Sequence, residues 1–90
     1  MIKKIFKYSI KEYGTTVINL PMETKFLHAG SAPDGKLSVW LEVPQGDHSS
    51  GLCYFDVKYT GDTAPKFPHA STFIKYPLVF HLFVSKRLLE

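Results

Sequence analysis

Apolar and polar side chains alternate along the first ten residues: Phe6, Tyr8 and Ile10 fall on one side of an extended chain, Lys7 and Ser9 on the other. That is the period of two of a half-buried strand, and it predicts a first strand over KKIFKYSI, residues 3–10. Gly14 closes the turn that follows. The β-branched run TTVINL at 15–20 predicts a second strand, stopped by Pro21, which has no N–H for a ladder. Between 25 and 43, two apolar runs flank Pro33-Asp34-Gly35, where proline presets φ and glycine supplies positive φ, so a hairpin is expected there. In its second arm Leu37, Val39, Leu41 and Val43 share one face, and Ser38, Trp40 and Glu42 the other.

PQGDHSSG at 44–51 has the composition of a loop, and LCYFDVKYT at 52–60 resumes the alternation with Cys53, Phe55, Val57 and Tyr59 in phase. GDTAPKFPHA at 61–70 holds two prolines and a glycine and is expected to be an exposed excursion. Residues 71–85 read either as two strands broken near Pro77 or as one bent strand, followed by a short flexible tail at about 86–90. A short helical turn fits at 21–24 or in the tail. No stretch sustains a 3.6-residue apolar period, and no repeat is present. The pattern predicts one all-β domain over 1–90, a small sandwich or barrel of six to seven short, mainly antiparallel strands.

Composition sharpens this only in places. In 90 residues, 44% hydrophobic and 14% aromatic, there is material for one packed core and no second domain. Eleven Lys and Arg against eight Asp and Glu give a charge of +3. Arg87 is the lone arginine and the lysines are scattered, which argues against nucleic acid as the partner. A single cysteine, Cys53, rules out an intramolecular disulfide, so the cytoplasm is the expected compartment. Charges at 3, 4, 7, 11 and 12 leave no apolar run of signal-peptide or membrane-span length at the start of the chain.

Candidate chemistry is sparse. His28, His48, His69 and His81 form no zinc-ligand spacing with one another or with Cys53. His28 and His81 read as hydrogen-bonded rings at the core margin, His48 and His69 as solvated loop residues. Cys53 shares the face of Phe55 and Val57, where a thiol is buried and inert. Asp47, His48 and Ser49 are neighbours in a loop and diverge rather than converge. With no GxGxxG or Walker pattern either, the sequence predicts a non-enzymatic binding protein with no catalytic residue, metal site or cofactor.

Binding without such motifs needs aromatic faces, lysines and backbone donors. Trp40, Tyr54, Tyr59 and Phe67, with Lys58 and Lys66 nearby in sequence, supply these. Trp40 projects opposite the Leu37–Val39–Leu41 stripe and His81 opposite Leu78, Phe80 and Leu82, so both are expected on one second, more polar face with Lys58 and His28. The alternatives for that face are a second small core or a subunit interface. Many aromatic strands in a small chain leave edges to protect, so a symmetric homo-oligomer is expected.

Taken in order, IFKYSI at 5–10, INLP at 18–21, FLHAG at 26–30, GKLSVWLEV at 35–43, VKYTG at 57–61 and VFHLF at 79–83 resemble a family of small phage and prophage proteins of unknown function. Its members run through an aromatic-Lys-Tyr strand, a Leu-Pro turn, a hairpin ending in a tryptophan strand, a Thr-Gly loop and a last strand close to Val-Trp-His-Val-Phe. A His-Pro often follows their Thr-Gly, whereas Asp62 and Thr63 follow Gly61 here, so only Thr60 and Gly61 carry over as site residues. The resemblance implies a phage product in the host cytoplasm that counters host immunity by binding. Two partners then compete: an anionic nucleotide-like immune signal held by an oligomeric sponge, and a host defence protein capped directly. A minor structural or nucleic-acid-binding role in the phage comes third.

Overall fold

The computed structural model describes residues 2–46 and 49–90. Seven strands succeed one another: β1 (Lys3–Ser9), β2 (Gly14–Pro21), β3 (Lys25–Ser31), β4 (Leu37–Pro44), β5 (Ser50–Tyr59), β6 (His69–Lys75) and β7 (Leu78–Val84). They pair antiparallel in two sheets, β1-β4-β3 and β2-β5-β7-β6. Each sheet keeps two free edges, so of the two architectures expected the chain adopts the sandwich and not the closed barrel. The ambiguity at 71–85 resolves into a hairpin, β6 and β7 joined at Tyr76 and a cis Pro77.

Alternation decides what lies between the sheets. Leu37, Val39, Leu41 and Val43 of β4 meet Cys53, Phe55 and Val57 of β5 and Phe80, Leu82 and Val84 of β7 in one buried cluster. The hairpin around Pro33-Asp34-Gly35 forms as expected. The Gly35 N–H reaches Ala32 O at 2.8 Å, Asp34 Oδ1 accepts from the Lys36 N–H at 2.9 Å, and Gly35 takes φ of +82°, which side chains with a Cβ rarely adopt. At one end of the core an aromatic series runs from Tyr13 through Tyr59 and Phe80 to Phe73, with ring centroids 4.7, 5.4 and 5.5 Å apart.

Three local expectations need correction. Phe6 has the inward phase, opposite Leu41, yet is 40% exposed, because β1 is an edge strand that packs chiefly on β4. Ser38 and Asp56 have outward phase yet are buried. Ser38 is flanked by Ser9 and Gly30 and donates to Lys36 O at 3.3 Å, while Asp56 lies between Thr15 of β2 and Phe83 of β7 in the middle of its sheet. The loop at 61–68 is largely exposed, as expected, and is tied down at its end: Phe67 stacks on Tyr54 at 5.3 Å and Pro68 O accepts from the Val84 N–H at 3.0 Å. The C-terminal segment is no flexible tail. Lys86–Leu88 forms a 3-10 turn, Leu88 is buried, and the Arg87 guanidinium donates to the carbonyls of Leu20, Pro21, Met22 and Gly51 at 2.9–3.0 Å. The chain's single arginine thus closes the end of β2 against β5, a use of its fork that lysine cannot copy.

Leu41 sits at the centre of β4 with no exposure. Truncation to Ala is expected to lower unfolding free energy by about 2–5 kcal/mol in chemical denaturation. A change below about 0.5 kcal/mol, the range of surface substitutions, would mean that the faces of β4 are assigned backwards.

Candidate functional site

The outer face of the four-stranded sheet carries the densest polar cluster. On β5, the residues out of phase with the core are Tyr54, Asp56 and Lys58; on β7 they are His81 and Phe83, and on β6 Thr72 lies beside His81. Beyond β5 the chain turns sharply: the Asp62 N–H donates to Tyr59 O at 3.1 Å, and Gly61 at the third position has φ of +99°. A Cβ there would meet no atom, so the backbone angle and not space favours glycine. Asp62 locks the turn by accepting from the Tyr59 N–H at 2.8 Å. Between this turn and the sheet lies a cavity of about 180 Å³ lined by Lys58, Tyr59, Thr60, Gly61, Asp62, Ala64, His81 and Phe83.

His81 is held from both sides. Its Nε2 lies 2.8 Å from Thr60 Oγ1 and its Nδ1 3.0 Å from Thr72 Oγ1, which is itself 2.7 Å from His69 Nε2. Thr72 has one hydroxyl proton to place between two rings, so the tautomers of the two histidines are coupled. If His81 carries its proton on Nε2, it donates to Thr60 and accepts from Thr72; if on Nδ1, both roles reverse. The Thr60 hydroxyl and His81 can therefore offer the cavity either a donor or an acceptor.

Lys58 is the cation of the cavity. Asp56, buried despite its outward phase, has no hydrogen bond to its Oδ1 and faces Lys58 Nζ at 3.9 Å, an ion pair just beyond hydrogen-bond reach. On its other side Lys58 Nζ stands 5.4 Å from the centre of the Tyr13 ring. The Tyr13 hydroxyl hydrogen-bonds Asp62, which holds the phenol above its usual pKa. The Asp62 carboxyl is held below the usual range, first by the Tyr59 N–H and then by that hydroxyl. Counting Lys58 as +1, Asp62 in the lining as −1 and Asp56, the partner of Lys58, as −1, the three charges sum to −1.

Five of the residues expected at the site, Lys58, Tyr59, Thr60, Gly61 and His81, are brought together here. The other two, Trp40 and His28, are not. They project from the outer face of the three-stranded sheet, with ring centroids 5.5 Å apart and His28 directly across from Trp40. The expected shared face of Trp40 and His81 is therefore corrected: each points away from the common core, on opposite sides of the sandwich. His28 is exposed rather than at a core margin, and His69 belongs to β6, with its ring edge-on to Phe83 at 5.5 Å, rather than to a solvated loop. Asp62, Thr72 and Phe83 were missed, although Phe83 shares the phase of His81. Asp47 and His48 lie outside the described residues. Burial raises the Cys53 thiol above its usual pKa against the opposing pull of Arg87.

Chemically, Thr60 beside His81 has the spacing of a nucleophile and a base. The third position, however, is the Thr72 hydroxyl, which supplies no charge to stabilise an imidazolium, and the nearby Asp62 is already bonded to Tyr59 and Tyr13. Among the described residues no group of three or more His, Cys, Asp or Glu converges as metal ligands, and no helix is long and apolar enough to cross a membrane.

The family described as Domain of unknown function (DUF7352) matches residues 1–89. The chain belongs to that family. Neither a curated protein nor a solved structure matches it. Within this DUF7352 chain the match spans all seven strands, so both the His81 cavity and the Trp40 face lie inside the family domain.

The turn over the cavity depends on an ionised Asp62. Its pKa is lower folded than unfolded, so its stabilisation is complete above about 3.8 and fades as pH falls through the lower folded value. An NMR titration is expected to place the Asp62 carboxyl midpoint below 3.8. A midpoint at or above that value would remove the carboxylate as the lock of the turn.

Proposed function

We propose that this chain is a non-enzymatic binding protein that captures an anionic nucleotide-like small molecule in the Lys58–His81 cavity. In the setting implied by its resemblance to small phage proteins, it acts in the host cytoplasm as an oligomeric sponge that withdraws an immune signal. The observation that carries the reading is convergence: Lys58, the Tyr59–Gly61 turn and His81, from separate stretches of chain, surround one cavity with an aromatic wall at Phe83. Sequestration needs affinity without turnover, which suits a site whose histidine is tied to hydroxyls rather than to a carboxylate.

Size and charge narrow the ligand. About 180 Å³ falls short of the roughly 300–1,000 Å³ that encloses a drug-sized molecule, so one chain holds one end of the ligand, a base or a phosphorylated sugar. One lysine set against two carboxylates offers one phosphate group a charge-assisted contact and leaves no excess positive charge to hold a polyphosphate. Thr60 and His81 then meet the polar edge of the neutral part. Lys58 is a poor place to test this, because removing it leaves the buried Asp56 carboxylate uncompensated.

A second reading rests on the opposite face. Trp40, half-buried beside His28 on an open sheet surface, has the character of a protein-binding anchor and fits an inhibitor that caps a host defence protein.

Calorimetric titration with a nucleoside monophosphate, a cyclic dinucleotide and a nucleoside triphosphate separates the two. The first two are expected to bind and be recovered unchanged in mass, with the triphosphate weaker. His81→Ala is expected to weaken binding about two- to tenfold, the worth of one hydrogen bond between neutral groups, at an unchanged melting temperature. No binding by any of the three, or loss on Trp40→Ala in place of His81→Ala, contradicts the cavity reading.

A further inference from the structure

The sandwich has four free strand edges, and three are guarded. The edge strand β3 is broken by a register shift between Phe26 and His28, and β6 by one between His69 and Ser71. β2 ends in Pro21, with the carbonyls of Leu20 and Pro21 occupied by Arg87. β1 has none of these devices. All seven of its residues pair with β4 without a shift, and it leaves Ile5 65% and Phe6 40% exposed. A regular edge bearing apolar side chains is a template for another strand.

We infer that β1 pairs antiparallel with β1 of a second copy, centred on Phe6, joining two three-stranded sheets into one. This specifies the interface of the oligomer in the reading above, and it stands or falls without any ligand.

Backbone phase restricts the geometry first. The Ile10 N–H donates to Leu37 O and the Gln45 N–H to Ile2 O, each at 2.8–2.9 Å. The even-numbered residues of β1 therefore bond to β4, while the N–H and C=O groups of Lys3, Ile5, Lys7 and Ser9 point to the free edge. Only registers that place odd-numbered residues opposite odd-numbered ones can bond across the new interface.

Charge then selects among the registers that engage most of the strand. Centring on Ile5 sets Lys3 opposite Lys7 of the second copy, and centring on Lys7 sets that lysine opposite itself; both juxtapose like charges. Centring on Phe6 pairs Lys3 with Ser9, Lys4 with Tyr8 and Ile5 with Lys7, and Phe6 with its own copy, so no lysine faces a lysine and the whole strand is used. Lys3 and Lys7 are also balanced within their own chain by Glu42 at 3.6 Å and Asp34 at 3.8 Å. The lysines that would guard this edge against other strands thus choose its register with a second copy. Phe6 projects on the core side, so the pair would cover the apolar surface left at the rim of the sandwich.

Single cysteines read the register directly. Phe6 would face its copy across a non-hydrogen-bonded position, with Cα atoms about 4.5 Å apart, within the roughly 4.4–6.8 Å that a disulfide spans. Cys53 has no exposure and does not compete. Under mild oxidation Phe6→Cys is expected to form a covalent dimer, while Ile5→Cys and Lys7→Cys remain largely reduced. Ile5→Pro removes an N–H that makes no bond to β4, and is expected to turn a sedimenting dimer into a monomer with an unchanged circular dichroism spectrum. If the proline variant does not fold, the cross-linking decides. A wild-type monomer at high micromolar concentration, or cross-linking through Ile5→Cys or Lys7→Cys in place of Phe6→Cys, overturns the inference. Ligand titration of the Ile5→Pro monomer, or of the wild type if monomeric, reads the cavity separately.

Discussion

The arrangement depends on one constraint, that β4 and β5 turn their apolar alternations toward a single core. With Val39, Leu41, Phe55 and Val57 facing inward at no exposure, every neighbour out of phase must face outward. β4 therefore presents Trp40 on one side of the molecule, and β5 presents Tyr54, Asp56 and Lys58 on the other. A slip of one residue in either strand would exchange core for surface along its length. The position of each candidate binding group is thus a by-product of how the core is filled.

Asp56 departs from this scheme. A carboxylate at an outward position would ordinarily be solvated, but Asp56 sits mid-sheet between Thr15 and Phe83 and is 5% exposed. The buried charge is then balanced by Lys58 at 3.9 Å, which keeps the lysine at the cavity wall instead of extended into solvent. A weak surface cation becomes a positioned one, at the cost of a carboxylate that cannot be removed independently.

Much of the fold was legible because its signals are local. The alternation at 37–43 and 52–59, the Pro33-Asp34-Gly35 turn and the strand break near Pro77 each act within a few residues, and each appears where expected. The site was legible by half. Lys58, Tyr59, Thr60 and Gly61 are consecutive, and His81 reaches them because Lys58 pairs with it across β5 and β7. That Trp40 belongs to the other layer could not be read, since phase tells which side of its own sheet a residue faces and not which sheet it joins. The four carbonyls held by Arg87, and the Thr72 bridge between two histidines, are likewise contacts between distant segments with no local signature.

In the proposed reading, recognition belongs to the His81 side of the sandwich and not to its only tryptophan. Amide and side-chain NMR shifts recorded while a nucleoside monophosphate is added test it most directly. Changes are expected to concentrate at Lys58–Asp62, His81 and Phe83, with the Trp40 indole resonance unmoved. Changes centred on Trp40 and His28, with the cavity silent, would contradict it.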